Sequence, residues 1–313
     1  MTGRPRGRAA GALALALALM LAAGCGAGAG ESPGGASLLV TRNFGASQVG
    51  AATVKQAPGS ETVMRFLRRA FGVRTRYGGG FVQSINGLSG GNPGGRPADW
   101  FFYVNGSEAA KGAAATELHD GDRVWWDLHD WSATMHIPAV VGSFPEPFRS
   151  GTDGRKLPVR VGCDPGAQAA CDAVQSRLAA AGVKVGLSSL NAATDLQTLR
   201  VLVGRWSEVR RDDATRQLDR GPGASGVYAR FTGGGAGLVV LDAAGRPART
   251  LGAGAGLIAA TRLGAQAPTW VVAGTDAAGA LAAARALDER TLARRFALAV
   301  DGGARLPAPV EAP

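Results

Sequence analysis

A chain of 313 residues with 46% hydrophobic and 19% charged positions has the composition of a globular protein, which excludes a fibrous or low-complexity one. Its formal charge of +10 raises nucleic-acid binding, but the arginines are scattered through both halves, whereas that function needs them gathered on one face. Once the leader described next is removed, +7 remains over 289 residues, enough chain for two modest domains or one large one.

Arg4, Arg6 and Arg8 precede a run of Leu, Ala and Gly from Leu13 to Gly24, interrupted by Met20. A basic start, an apolar middle and small residues at the end read as an export signal. The run is short for a membrane span, which needs about 20 residues. Cys25 directly follows Leu21-Ala22-Ala23-Gly24. This resembles the lipobox of bacterial lipoproteins, with the leucine one place earlier than in the commonest form. The resemblance implies cleavage of residues 1–24 and lipidation of Cys25. It also implies an extracytoplasmic location, on the outer face of the cytoplasmic membrane or the cell surface. An ordinary secretory signal or an uncleaved anchor is the alternative. Residues 25–37, rich in Gly, Ala, Ser and Pro, read as a flexible tether. The predicted partners are therefore the membrane, through the lipid, and a small molecule or an envelope protein. Nucleic acid is not among them.

Residues 38–148 form the first predicted domain. Leu38–Thr41 and Val49–Lys55 read as strands. Ser60 is a plausible N-cap, and Val63, Phe66, Leu67 and Phe71 make an apolar stripe at helical spacing, stopped by Gly72. Three strands follow, at Phe81–Ile85, Trp100–Val104 and Arg123–Trp131. Asn86-Gly87 and Asn105-Gly106 close two of them with residues that tolerate positive φ. Ile137–Phe148 carries three prolines and reads as an extended segment lying against this domain.

The run Gly79-Gly80-Phe81-Val82-Gln83-Ser84-Ile85-Asn86-Gly87 is followed by Asp99-Trp100-Phe101-Phe102-Tyr103-Val104-Asn105-Gly106. Gly112, Leu118-His119-Asp120-Gly121-Asp122 and Val124-Trp125-Trp126 come next. In this order the motifs resemble the domain at the C-terminus of transcobalamin and intrinsic factor. A related bacterial domain of undefined function occurs on secreted and cell-surface chains. The resemblance covers about residues 38–131 and implies a β-grasp-like fold. In the animal members this domain covers one face of cobalamin, and a separate α/α-barrel, absent here, holds the other. Cobalamin is the one cofactor the resemblance raises. It would put the ligand-facing residues at Phe81, Gln83, Asn86, Trp100 and Tyr103.

A polar junction at 149–156 leads to a second domain at 157–303, and residues 304–313 read as a disordered tail. Val159–Val161, Val183–Leu187, Leu199–Val203, Trp270–Ala273 and Phe296–Val300 read as strands. Gly226–Phe231 and Leu238–Leu241 read as an antiparallel pair. Gln168–Ala181, Trp206–Leu218, Gly256–Leu263 and Ala277–Leu287 read as helical. Strand-helix alternation implies an α/β domain with a mixed or parallel sheet. The overall prediction is a small α+β domain followed by an α/β domain. Cys163 and Cys171 flank Asp164-Pro165-Gly166, and an even pair in an exported chain predicts a disulfide.

Trp125, Asp127, His129 and Trp131 share one strand face, and Val124, Trp126 and Leu128 the other. A flat ligand or sugar ring would stack on Trp125, His129 and Trp131. The alternative is that they pack beneath Ile137–Phe148 or against the second domain. Trp100, Phe102 and Val104 should face the core and Phe101 and Tyr103 the other way. His119, His129 and His136 lack zinc-site spacing, so no metal is assigned. In the second domain, 162–164, 204–206 and 274–276 each follow a strand. If those strands are parallel, the loops share the sheet edge where α/β proteins bind ligands. Arg205, Thr275 and Asp276 are the candidates there, with Asp164 and Thr275 as plain caps the alternative. No nucleophile elbow, triad or acidic pair is present, so no catalytic residue is assigned. The leading reading is a membrane-tethered, non-catalytic binding or adaptor protein, its ligand a corrinoid or another flat molecule. A structural or protein-interaction module of the envelope is the first alternative. An enzyme with its site in the second domain or the interdomain cleft is the other.

Overall fold

The computed structural model describes residues 1–3, 35–57 and 59–311. Cys25, residues 4–24 of the leader and most of the tether lie outside them. Residues 33–313 cluster as one unit. Among the described residues no helix is long and apolar enough to cross a membrane.

The first half begins with β1 (Ala36–Arg42) and β2 (Ser47–Val54), an antiparallel hairpin. Helix α1 (Val63–Ala70) follows, capped by Thr62, whose side chain accepts from the Arg65 amide. The cap is thus two residues beyond Ser60, whose carbonyl instead accepts from Arg65 Nη1 at 2.5 Å. Val63, Phe66 and Leu67 are buried as the stripe predicts. β3 (Val73–Arg76), β4 (Phe81–Ile85) and β5 (Leu88–Ser89) make a small antiparallel sheet. β6 (Ala98–Val104), β7 (Ser107–Glu108) and β8 (Arg123–Asp130) join the hairpin in a five-stranded sheet of order β2-β1-β8-β6-β7. β1 runs parallel to β8 at its centre. First and last strands side by side, with one helix across the sheet, is the predicted β-grasp-like α+β arrangement. Asn86 and Asn105 hold φ of 48° and 52° in their turns, as read from the sequence.

The second half is built on β9 (Val159–Cys163), α2 (Gln168–Ala180), β10 (Gly186–Ser189) and β11 (Leu199–Arg205). Three single-turn helices follow, α3 (Trp206–Val209), α4 (Asp213–Arg216) and α5 (Pro222–Ser225). The stretch read as one helix at 206–218 is therefore broken, with Asp212 capping its second turn. β12 (Ala229–Thr232), β13 (Gly237–Leu241) and β14 (Pro247–Leu251) form a separate antiparallel sheet. β15 (Gly256–Thr261), β16 (Thr269–Gly274), α6 (Ala277–Arg285), α7 (Glu289–Leu292), β17 (Ala297–Asp301) and β18 (Ala304–Ala308) complete the fold. The main sheet has the order β10-β9-β11-β16-β15-β17-β18. Its first four strands are parallel and the rest antiparallel, a mixed sheet.

Two expectations fail here. The stretch Gly256–Leu263 holds the strand Gly256–Thr261, not a helix, because every residue of β15 is buried between two sheet neighbours and two covered faces. Residues 304–308 are an edge strand, not a disordered tail, and the Val310 amide donates to the Leu241 carbonyl at 3.0 Å.

One face of the main sheet packs on α2 and α6. Cys171, Val174 and Leu178 are buried there, and Cys171 is bonded to Cys163 as predicted. The other face packs on β12–β13 and on the five-stranded sheet, in a single apolar cluster containing Phe44, Tyr103, Trp125, Tyr228 and Phe296. Residues 137–148 lie along this junction. The Val140 amide donates to the Gly106 carbonyl at 2.8 Å and the Val141 amide to the Phe296 carbonyl at 3.2 Å. Arg123 adds a clasp, reaching the Phe144 carbonyl at 3.0 Å and Glu289 at 2.7 Å. The segment read as covering the first domain is wedged between both halves.

Candidate functional site

Period two decides what β6 and β8 present. Trp100, Phe102, Val124, Trp126 and Leu128 face α1. Phe101, Tyr103, Trp125, Asp127 and His129 turn toward the second half. The centre of that second face is Asp127, fully buried. Its carboxylate accepts from the Phe44 and Gly45 amides, each at 2.9 Å, from the Thr41 hydroxyl, and lies 3.0 Å from His129 Nδ1. Trp125 Nε1 donates to the same hydroxyl at 2.7 Å.

This explains the hairpin turn between β1 and β2. Phe44 holds φ +56°, a region costly for a bulky side chain. Two backbone donors converging on one carboxylate stabilise it. The turn in exchange drives the Phe44 ring into the junction, 4.6 Å from His129 and 5.1 Å from Tyr228. His129 is sandwiched, with Phe101 stacked 4.5 Å away on its other side. Phe296 stands edge-on to Phe44, Tyr103, Trp125 and His129. Burial raises the hydroxyl pKa of both Tyr103 and Tyr228. His129 Nε2 and the Tyr228 hydroxyl are buried without a protein partner.

Tyr103, Trp125 and His129 are thus brought together, in the interior. Trp100 is also buried, its Nε1 donating to the Leu88 carbonyl at 3.1 Å. Trp131 is half-buried and donates to Asp99 at 2.9 Å. Phe81, Gln83 and Asn86 lie on the small sheet and its turn, where Phe81 is exposed and Asn86 Oδ1 accepts from the Gly72 amide at 3.0 Å. They share no surface with the first group.

Because β9, β11 and β16 are parallel, the three loops after them do lie at one sheet edge. Arg205 is engaged there with Asp164, through Nε to Oδ2 at 2.7 Å and Nη2 to Oδ1 at 2.9 Å. The Arg205 fork, outweighing desolvation, lowers the Asp164 carboxyl to about 2. Asp276 caps α6 by accepting from the Gly279 amide at 2.8 Å, and Thr275 donates to the Gly252 carbonyl at 3.2 Å. Asp164 caps the turn at Pro165, so this edge is spent on caps and one ion pair.

A separate cleft of about 400 Å³ opens where the halves meet, lined by Ser107, Glu108, His119, Arg155, Gln197 and Arg262 among others. None of the sequence-predicted ligand residues lines it. Its walls carry both signs of charge and no aromatic ring other than the His119 imidazole. Sequence reasoning weighed His119 as a metal ligand and as a turn residue, not as part of a cleft, and passed over Thr41, Phe44 and Phe296. An aromatic inside an Asn-Phe-Gly hairpin turn was the available signal for Phe44. Among the described residues no group of three or more His, Cys, Asp or Glu side chains is placed to hold a metal ion.

Residues 60–130 match the family DUF4430, a domain of unknown function. No curated protein matches the chain. A crystal structure of a Ruminococcus gnavus ATCC 29149 protein, described as a candidate metal-binding protein, is similar at 12% identity, covering 31% of this chain and 97% of that one, with a TM-score of 0.26. A TM-score of that size carries no argument for this chain.

Proposed function

We propose that this chain is a membrane-tethered, extracytoplasmic adaptor or binding protein that performs no chemistry of its own. One observation carries the reading: the aromatic face of β6 and β8 that could have stacked a flat ligand is closed into the core joining the two halves. What it supports is a rigid body that presents surfaces. Of the corrinoid candidates, Tyr103 is closed into that core and Trp100 is buried beneath α1, which leaves Phe81, Gln83 and Asn86, too little aromatic area to cover a macrocycle. Membrane attachment rests on the lipobox resemblance at Cys25.

The test has two arms. Cells fed radiolabelled palmitate are expected to label the chain and hold it in the membrane fraction through a high-salt wash, and Cys25→Ser to abolish the label and the salt-resistant retention. Absence of label on the unaltered chain overturns the tether. In the second arm, cobalamin is titrated to ~0.1 mM, weaker than a specific small-molecule site requires, and no saturable change in tryptophan fluorescence is expected. Saturable binding overturns the surface-presenting reading in favour of a ligand site.

A further inference from the structure

Residues 62–98 contain six arginines and no Lys, Asp or Glu. Those 37 residues therefore hold +6 of the +7 that remains after the leader. The charge is concentrated, contrary to the scattered pattern that the count of arginines in each half conveys. Arg69 is paired with Glu61 and Arg96 with Asp130. Arg65, Arg68, Arg74 and Arg76 are exposed, and among the described residues no carboxylate lies within salt-bridge distance of them.

Arg68 and Arg76 lie beside the tip of the β3–β4 hairpin, with Arg74 two residues back along β3 and Arg65 one turn earlier on α1. Arg68 Nη2 donates to Thr75 Oγ1 at 3.2 Å, holding α1 against β3. Arg76 stands opposite Phe81 in the strand register, so both side chains leave the same face. The turn between them projects Tyr77, 85% exposed, with its ring 6.1 Å from that of Phe81. Among the described residues these two are the exposed large aromatics. A Tyr and a Phe ring exposed beside arginines without carboxylate partners is the combination of apolar and cationic groups that an anionic interface takes up.

The tip lies at the end of the domain where the chain enters the fold. The Gly80 carbonyl is against Gly112. The Met64 amide donates to the Ala113 carbonyl at 2.9 Å, the Leu118 amide to the Glu61 carbonyl at 3.0 Å, and the Gly35 amide to Asp120 at 3.1 Å. These short steps connect the tip to Gly35. From Gly35 back to Cys25, ten residues cannot reach beyond about 33–36 Å. Lys55 and Lys111 are also exposed at this end, as are Glu117 and Asp120, and Asp120 already accepts from the Gly35 and Ala57 amides.

We infer that α1 and the β3–β4 hairpin form a docking surface for the anionic lipid headgroups of the membrane to which the chain is tethered. The inference rests on the tether reading above and adds an orientation to it. Arg65, Arg68, Arg74 and Arg76 meet the headgroup charge, and Tyr77 and Phe81 enter the interfacial layer where amphipathic rings settle. The second half is then held with its polar cleft at a fixed angle to the bilayer.

The mature chain, residues 25–313 with Cys25→Ser, isolates the surface from the lipid anchor and from the apolar leader. It is sedimented with vesicles of phosphatidylglycerol and phosphatidylcholine, and with phosphatidylcholine alone, over a salt series. Binding to the anionic vesicles only, weakening as salt rises, is expected. Each basic side chain near an anionic bilayer strengthens partitioning roughly fivefold, so Arg68→Gln/Arg74→Gln/Arg76→Gln lowers it on the order of 100-fold. Tyr77→Ser/Phe81→Ser gives a smaller loss that salt does not alter. Arg230→Gln/Arg249→Gln, exposed arginines of the second half, leaves binding unchanged. Unaltered melting curves show that the variants are folded. No binding to anionic vesicles, or an equal loss from both arginine sets, overturns the inference. Vesicle binding by a chain that palmitate never labels would keep this surface and discard the lipid tether, so the two failures are distinguishable.

Discussion

Replacing Phe296 by Ala tests whether the two halves fold as one body. Phe296 is 4% exposed, and its ring lies 5.2 Å from Phe44, 5.6 Å from Tyr103, 5.0 Å from Trp125 and 5.3 Å from His129. All four belong to the first half, while Phe296 precedes β17 in the second. Truncating a buried Phe costs about 3–5 kcal/mol, the upper end applying where the neighbours cannot collapse into the space. Here they are held in place, since Asp127 ties the Phe44 turn and Thr41 ties Trp125. At this chain length roughly 2 °C is lost per kcal/mol, so the melting temperature should fall by about 6–10 °C. Scanning calorimetry of the full chain should show one transition before and after the substitution, moved as a whole. A first-half transition that separates and stays where it was would refute the reasoning, because the junction would then be a contact between independently stable domains.

Arg205→Gln releases Asp164, whose folded value of about 2 lies below the ~3.9 of an unfolded chain. A depressed carboxyl contributes stability above the unfolded value and loses it as pH falls through the folded one. The difference in urea midpoint between the parent and the variant should therefore be full above pH ~4 and close toward pH ~2. A gap that does not vary with pH would show that Arg205 acts only by packing. The Cys163–Cys171 bond should leave no thiol for alkylation in the unreduced, unfolded chain except at Cys25. Cys163→Ser should lower stability by about 2–3 kcal/mol in urea, given the short loop closed, and no change would mean that the bond does not constrain the unfolded chain.

What the sequence disclosed follows from how much of each element sees two environments. On β6 and β8 the alternation Trp100, Phe102 against Phe101, Tyr103 is real, and each set was assigned to the correct side. Alternation states which residues share a face and nothing about what covers it, so a stacking platform and an interdomain contact had the same pattern. α2 was legible because Cys171, Val174 and Leu178 form its one buried face. β15 was not: a strand buried on both sides has no alternation, and its Ala-Ala pair favoured a helix. β3 was missed because Val-Arg-Thr-Arg is short and polar. Residues 304–308 carry Pro307, and β18 is the edge of its sheet, the place where a strand proline is tolerated. The ion pair of Asp164 with Arg205 spans 41 residues, a separation that no local spacing rule detects.

The match to DUF4430 starts at residue 60, after β1 and β2 have already been laid down. β1 nevertheless supplies the parallel neighbour of β8 and, through its turn, the donors that satisfy Asp127. A fragment bounded at 60 and 130 would expose the ladder edge of β8 to any passing strand. It would also bare the ring cluster that Phe296 and residues 137–148 cover. In this chain the matched segment is therefore not a portable cassette. It is a recognisable stretch inside a body whose folding draws on residues before and after it, and changes to either half are inherited by the other.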